Sequence, residues 1–176
     1  QDSCRLLLIN LTKFVTKPFT SDAQFDYDAF YQVAQKSQRL MDDIIDLELE
    51  CVAKIINKIV NDPEPADVKR TELELWEKIR LAATNGRRTG LGITGLGDTI
   101  AMLGLRYASD ESIPLTHDIY KTLALGSYRS SVTMAKERGA FPVFSHDVEK
   151  NHEFINRIMA EDPELEKDYK KYGRRN

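Results

Sequence analysis

The stretch "GRRTGLGITGLGDTIAML" at residues 86–103 decides between two kinds of fold. Gly90, Gly92 and Gly95 spell G-x-G-x-x-G, the fingerprint of a dinucleotide-binding loop when a strand precedes it and a helix follows. Here the preceding residues have a helical pattern, and no strand with an acidic end follows about 20 residues later. The lysine of a phosphate-binding P-loop is also missing, since "LGDT" follows Gly95. We therefore interpret the glycines as a loop or helix start that closely approaches other backbone.

Two long helices are predicted before this stretch. Apolar residues recur at spacings of three and four over residues 27–61, and Asp26 is a suitable N-cap. Prolines within 61–67 end this helix. A second helix is predicted over 66–84, with Gly86 as a left-handed C-cap.

The remaining segments alternate between extended and helical patterns. Residues 5–16 are rich in Leu, Ile, Val and Thr and predict a buried strand. The segments predicted after the glycine-rich stretch are a helix from Gly95 to Gly104, a helix over 112–138 that ends at Gly139, an extended segment at 140–144, and short helices at 147–160 and 163–171.

Composition limits the function classes. The 176 residues suffice for one domain with a core, and the formal net charge of -3 gives no basic excess for nucleic acid. No apolar run approaches the roughly 20 residues of a membrane span. Two cysteines are too few for a disulfide framework, which indicates a reducing, cytoplasmic setting. The chain opens on Gln1 and stops at "YGRRN", so we expect an internal piece of a longer protein.

Five stretches in order resemble one enzyme family. "NGRRTGLGITGLGDTIAMLGLRYASDESI" is similar to a segment of ribonucleotide reductase catalytic subunits, most closely of the adenosylcobalamin-dependent class. The other four stretches are "DSCRLLLINLTKFV" at 2–15, "LMDDIIDLELECVAKII" at 40–56 followed by "DPEPADVKRTELELWEKIR" at 62–80, "AKERGAFPVFS" at 135–145, and "KYGRRN" at 171–176. The resemblance therefore covers essentially the whole chain.

The resemblance implies a fold and a domain organisation. The family fold is a ten-stranded α/β barrel, of which this chain would be an internal fragment, mainly α with one or two short strands. Residues 1–176 would form a single partial domain. Its predicted parts are a barrel strand at 1–18, a helical hairpin at 26–84, a glycine-rich turn and helices at 86–139, and an extended segment with short helices at 140–176.

The resemblance also implies an activity. The parent enzyme would be a ribonucleoside-diphosphate or triphosphate reductase that makes deoxyribonucleotides for DNA replication by thiyl-radical chemistry. The implied cofactor is adenosylcobalamin, bound mostly by residues outside this chain. Implied partners are the remainder of the reductase chain, the ribonucleotide and a thioredoxin-type reductant, with no nucleic acid and no membrane. A homodimer stays open as a further partner, since a barrel piece can expose apolar faces meant for missing strands. An N-P-C-x-E loop and a phosphate loop would flank this segment, so the isolated chain is expected to be inactive.

Cys4 is the one candidate catalytic residue. By resemblance, a cysteine at this strand position is a redox-active reducing thiol that pairs with an upstream cysteine and ends as a disulfide. Arg5 next to it would favour the thiolate if its side chain turned that way. The residues alone favour a small buried hydrophobe at a strand start, and the resemblance reverses that preference. Cys51, within the long helix, is predicted to pack in the core or at its boundary.

The charged and histidine-containing motifs are predicted to bind neither a metal nor a cofactor. "EKNH" at 149–152 has the spacing of a di-iron ligand pair, but it occurs once. Basic residues in "EKDYKKYGRRN" predict a solvated helix end. His117 and His146 have no evident partners. A solvated helix face is also predicted for a set of acidic residues, Asp42, Asp43, Asp46, Glu48 and Glu50.

Two alternative functions remain open at this level. The chain could be a non-catalytic helical protein-interaction domain derived from the reductase. It could also be a fragment of an iron-dependent, class I reductase, whose catalytic subunits contain a similar glycine-rich string. The long linker at 46–85 favours the cobalamin class over the iron-dependent one, by resemblance.

Overall fold

The computed structural model describes residues 3–176, most of which are helical. The strands are β1 (Arg5–Asn10), β2 (Val15–Thr16), β3 (Gln24–Phe25) and β4 (Thr89–Thr94), and a 3-10 turn (Leu11–Phe14) follows β1. The helices are α1 (Tyr27–Asn61), α2 (Ala66–Gly86), α3 (Leu96–Met102), α4 (Ser112–Arg138), α5 (His146–Glu149), α6 (Glu153–Ala160) and α7 (Pro163–Tyr172).

The mainly helical character is confirmed, while the number of strands is larger than predicted. The described residues contain four strands in two two-stranded sheets, instead of one or two strands. They do not form a ten-stranded barrel. The extra strands are the two-residue pair β2 and β3, which is antiparallel, and the glycine-rich β4.

Helix α1 follows the prediction from its apolar spacing. The Asp26 carboxylate accepts a hydrogen bond from the Ala29 amide at 2.9 Å, which satisfies a free N–H of the first turn. Phe30, Ala34 and Met41 are fully buried along the face that meets α4 and β1. Helix α1 therefore packs against both α4 and β1.

Strands β1 and β4 are parallel neighbours, which corrects the interpretation of the glycine-rich stretch. Arg5 pairs with Thr89 and Asn10 with Thr94. Gly90 and Gly92 thus lie within a strand, and the motif is divided between this strand and the turn that starts α3. A β-carbon added at Gly90 would lie 2.6 Å from Leu6 Cδ2. The glycines were misassigned because glycine has low strand propensity, so the sequence of β4 does not show a strand pattern.

Other boundaries also differ from the prediction. The strand predicted over 5–16 ends at Asn10, where the Asn10 side chain accepts from the Thr12 amide and starts the 3-10 turn. The segment 140–144 is a turn, closed by a hydrogen bond from the Phe144 amide to the Phe141 carbonyl, and is not extended. The helix predicted at 147–160 is split into α5 and α6.

The C-cap of α2 is Arg87, not the predicted Gly86. Arg87 has left-handed backbone angles (φ 41°, ψ 48°), and its amide donates to the Ala83 carbonyl. A left-handed conformation is unfavourable for a residue with a side chain, so other contacts must hold Arg87 there.

Two apolar clusters make up much of the core of residues 3–176. The first joins β1, the 3-10 turn, α1 and α4, with Phe14 packed edge-on against Phe30 at 5.1 Å between ring centroids. The second joins α4, α6 and α7 around Leu165 and Tyr169. No described helix combines the length and apolar character needed to cross a membrane.

Candidate functional site

Cys4 directly precedes β1 and lies on the face of the sheet that the helices leave uncovered. Successive side chains of a strand point to opposite faces. Arg5 and Ile9 are buried, whereas Leu6 and Leu8 are 78% and 64% exposed. Cys4 is on the same side as these leucines and is itself exposed. The interpretation of Cys4 as a buried hydrophobe is therefore wrong.

Gly90 is the neighbour of the Cys4 thiol on β4. A β-carbon at position 90 would lie 3.3 Å from the Cys4 Sγ, which is closer than a methyl group and a sulfur normally approach. The absence of a side chain at Gly90 therefore leaves space beside the thiol.

The Arg5 side chain turns away from the thiol. Its Nε donates to Glu48 Oε2 of α1 at 2.5 Å, and Nη1 donates to the Ser3 carbonyl at 2.8 Å. Because this guanidinium is directed to the helix side of the sheet, it fixes β1 on α1 and does not face the Cys4 sulfur.

Cys51 is exposed on α1, so its predicted packing in the core or at its boundary is wrong. Its neighbour Val52 takes the buried position. Neither cysteine is in a disulfide within the described residues. Cys51 thus provides a second accessible thiol for comparison with Cys4.

Asp42 lies at the centre of a buried ionic cluster, which corrects the prediction of a solvated acidic face. Its side chain is inaccessible to solvent. Arg87 donates to Asp42 Oδ1 at 2.8 Å through Nε, and Arg138 donates to Oδ2 at 3.2 Å. Arg175 Nε donates to Oδ2 at 3.3 Å, and the side-chain Nδ2 of Asn176 donates to Oδ1 at 2.9 Å. These partners explain both the burial of the carboxylate and the left-handed conformation of Arg87.

Three carboxylates of this cluster lie close enough to one another to hold a metal cation. One oxygen each from Asp42, Asp43 and Asp46 lies within 4.8 Å of the others. Arg87 also donates to Asp46 at 2.9 Å, and Arg138 donates to Asp43 at 2.8 Å. The arginines therefore supply the positive charge that the carboxylates need, and the prediction of no metal ligands stands as a prediction.

Glu149, from the E-x-x-H motif, is held by a second ionic contact. It is largely buried, and it accepts from the Tyr169 hydroxyl at 2.8 Å and from Arg174 Nε at 2.9 Å. Burial by itself would raise the pKa of Glu149, but the hydrogen bonds from Arg174 and Tyr169 outweigh it and hold the pKa below its ordinary value. The segment 174–176 is consequently docked on the domain, so the prediction of a solvated basic end is wrong for Arg174 and Arg175. It is confirmed for the lysines of the last helix, which are exposed: Lys167, Lys170 and Lys171.

A cavity of about 390 Å³ lies between β4 and α4. Gln38 Nε2 donates to Thr89 Oγ1 at 3.0 Å and to Asn176 Oδ1 at 2.6 Å along its wall. Ser131, Tyr128 and Arg174 contribute further polar groups. Asn176 thus both bounds the cavity and donates to Asp42 in the buried cluster.

The ribonucleotide reductase barrel-domain family matches residues 1–176. A vitamin B12-dependent ribonucleoside-diphosphate reductase of Mycobacterium tuberculosis (strain CDC 1551 / Oshkosh) is 31% identical over 144 residues, which are 82% of this chain and 17% of the relative. A vitamin B12-dependent ribonucleoside-diphosphate reductase of Thermoplasma acidophilum is 27% identical over 81% of this chain and 15% of its own length. A ribonucleoside-diphosphate reductase large subunit of African swine fever virus (isolate Tick/Malawi/Lil 20-1/1983) is 27% identical over 82% of this chain and 15% of its own length.

The chain thus spans 17% or less of the length of these relatives. The match to the family extends over β1, β4 and all the helices between and after them. On this evidence the chain belongs to the ribonucleotide reductase barrel-domain family.

Proposed function

We propose that this chain is part of a ribonucleotide reductase and that Cys4 is one of the two thiols that reduce the ribose. One observation carries this proposal. Helices cover one face of the β1–β4 sheet, and Cys4 lies on the other face. In an α/β barrel the helices form the outer layer and the opposite strand face points into the barrel, where residues from several strands meet. That face is the one on which a reducing thiol could reach a substrate.

The redox step requires a second thiol. The Cys4 thiol and an upstream cysteine outside this chain, implied by the resemblance, would give up two protons and two electrons and form a disulfide. The C2'–O bond of the ribose would break, the oxygen would leave as water, and a hydrogen would take its place. A thioredoxin-type reductant would then return the disulfide to two thiols. The pairing needs Cα atoms within about 7 Å of each other.

The cofactor proposed for the parent enzyme is adenosylcobalamin, which supplies the radical that starts the reaction. Relatives from Mycobacterium tuberculosis and Thermoplasma acidophilum are named as vitamin B12-dependent. The cavity between β4 and α4, at about 390 Å³, is far too small for a corrinoid with its nucleotide and adenosyl groups. The residues that would hold the cofactor are proposed to lie mostly outside this chain.

Membership of the cobalamin-dependent class of reductases, and not of the iron-dependent class, is part of the proposal. Viral relatives named as large subunits, without mention of vitamin B12, match the chain over a similar length. An iron-dependent reductase is therefore the second candidate. Binding of cobalamin by the full reductase, measured by its absorbance, would separate the two classes.

The chain alone is proposed to be inactive, since its sequence contains no N-P-C-x-E motif. The remainder of the reductase, a ribonucleotide and a thioredoxin-type reductant would complete the enzyme. A cytoplasmic location is proposed from the low cysteine content, and a homodimer from the exposed apolar face of the sheet. Turnover of a ribonucleoside diphosphate by the 176-residue chain alone would contradict this part of the proposal.

The role of Cys4 is tested by Cys4→Ser in the full reductase, with Cys51→Ser as the matched control. We expect Cys4→Ser to abolish multiple turnover with a thioredoxin-type reductant, because serine cannot form a disulfide. Cys51→Ser should retain the activity. Full turnover by Cys4→Ser would remove Cys4 from the chemistry. A parent protein with no ribonucleotide turnover at all would favour the non-catalytic interaction domain.

A further inference from the structure

We propose that Gly90 is a positioning residue for Cys4, because its missing side chain leaves the space in which the thiol turns. This inference rests on the proposed function for its catalytic meaning, whereas its geometry stands independently. It concerns a residue two places into β4, on the strand that neighbours β1.

The two glycines of β4 offer an internal comparison. A β-carbon at Gly90 would lie 2.6 Å from Leu6 Cδ2, and one at Gly92 would lie 2.8 Å from Leu8 Cδ2. Both contacts are to the far ends of exposed leucine side chains, which can rotate away into solvent. With respect to the leucines, the two positions are therefore nearly equivalent.

The positions differ in their relation to the thiol. The β-carbon at Gly90 would also lie 3.3 Å from Cys4 Sγ, while at Gly92 no second contact lies within 4 Å. Cysteine has one side-chain dihedral before the sulfur, so Sγ cannot move away without rotating about that bond or shifting the strand. A methyl group at position 90 would thus restrict the sulfur, and the same group at position 92 would not.

The space beside the Cys4 thiol matters because a redox-active thiol must form and break a disulfide bond. A cysteine that forms and opens a disulfide must rotate so that its sulfur meets the partner sulfur in a narrow range of geometry. Gly90 keeps one side of Cys4 open for that rotation. Alanine at this position would close that side while leaving the thiol itself intact.

The experiment compares Gly90→Ala with Gly92→Ala in the 176-residue chain, with iodoacetamide as the probe. Alkylation of Cys4 is followed by peptide mass spectrometry, and Cys51 in the same molecule is the internal reference. We expect Gly90→Ala to slow alkylation of Cys4 about three- to tenfold, the change expected when a side chain is pushed off a staggered rotamer. Gly92→Ala should leave the Cys4 rate unchanged, and neither variant should alter the Cys51 rate.

A second pair of variants separates the sulfur contact from the leucine contact. Leu6→Ala removes the 2.6 Å contact and leaves the contact to Cys4 Sγ. We expect Gly90→Ala to slow Cys4 alkylation equally in the Leu6→Ala background, which also relieves crowding if Gly90→Ala alone fails to fold. Equal Cys4 rates in all the glycine variants, or a loss of the effect in the Leu6→Ala background, would overturn the proposal.

A turnover assay keeps the two proposals distinguishable. In the full reductase, Gly90→Ala should lower kcat with a thioredoxin-type reductant and leave KM for the ribonucleotide unchanged. Should Cys4→Ser retain activity while Gly90→Ala still slows Cys4 alkylation, the proposed function fails and the positioning geometry stands. Should Cys4→Ser abolish activity while both glycine variants alkylate alike, the proposed function stands and Gly90 has no positioning role.

Discussion

The two sides of the β1–β4 sheet are built in opposite ways. On the helix side, the Asp42 carboxylate is fully buried, and three arginines and an amide satisfy it. On the other side, Leu6 and Leu8 are mostly exposed, and the Cys4 thiol has no cap above it among the described residues. On the helix side, the buried charge is therefore satisfied by partners within this chain. The opposite strand face is open to contacts that residues 3–176 do not provide.

The largest effect is expected from breaking the helix side at Asp42. Asp42→Asn keeps the shape but removes the charge that Arg87, Arg138 and Arg175 share. Removal of one partner from a buried ionic cluster costs about 3–5 kcal/mol of unfolding free energy. Urea denaturation followed by circular dichroism measures this loss.

The control for that variant is Asp43→Asn. Asp43 is a half-exposed neighbour that pairs only with Arg138 in the cluster. Surface ion pairs contribute about 0–1 kcal/mol, so the control should remain close to the parent chain. Equal losses of unfolding free energy in the two variants would show that burial does not increase the contribution of Asp42 to stability.

A smaller effect is expected at Glu149, and it should depend on pH. Glu149→Gln weakens the charge-assisted hydrogen bonds from Arg174 and Tyr169, at a cost of about 1–3 kcal/mol near pH 7. The folded pKa of Glu149 is lowered from 4.5, because the hydrogen bonds from Arg174 and Tyr169 outweigh the desolvation. The carboxylate therefore stabilises the fold above pH 4.5 and loses that contribution as the pH falls through the folded pKa.

Urea unfolding at several pH values between 7 and 3 checks this prediction. The difference in unfolding free energy between the parent chain and Glu149→Gln should be full at neutral pH and shrink below pH 4.5. Asp147→Asn, at a well-exposed acid on the same short helix, is the matched control and should show little difference at any pH. A difference for Glu149→Gln that stayed constant down to pH 3 would contradict the linkage.

The smallest effect is expected on the open face. Leu8→Ala should change the unfolding free energy by less than about 0.5 kcal/mol, because its side chain is largely in solvent. Ile9→Ala, at the adjacent buried position of β1, should cost about 2–5 kcal/mol. Thermal and urea unfolding of the two variants would sharpen the contrast between the faces. A large loss for Leu8→Ala would mean that this face is covered in solution.

The helices could be predicted because their signals are local. The spacing of apolar residues and the Asp26 cap lie within α1 itself, and the structure confirms both. Likewise α4 begins and ends where its pattern does, at Ser112 and before Gly139. Such features depend on residues a few positions apart, which a sequence displays directly.

The burial of Asp42 and the strand at Gly90 and Gly92 could not be predicted in this way. Asp42 reads as one of several acids on a polar helix face, and the arginines that bury it lie 45 to 133 positions further along the chain. Gly90 and Gly92 have low strand propensity, and their place in β4 depends on leucines of β1. The doubled arginines in "GRRTG" and "YGRRN" are the only sequence signal that could have suggested partners for the acids.

The parallel pairing of β1 with β4 also has a consequence for the order of folding. Arg5 must meet Thr89 across a connection that comprises nearly half the chain, so closure of this sheet is entropically costly until the connection is compact. The hairpin of α1 and α2 shortens that connection by forming from neighbouring residues. During synthesis from the N-terminus, β1 leaves the ribosome long before its partner strand exists. Strand β1 therefore stays unpaired until the glycine-rich strand β4 has been synthesised and can pack against the leucines of β1.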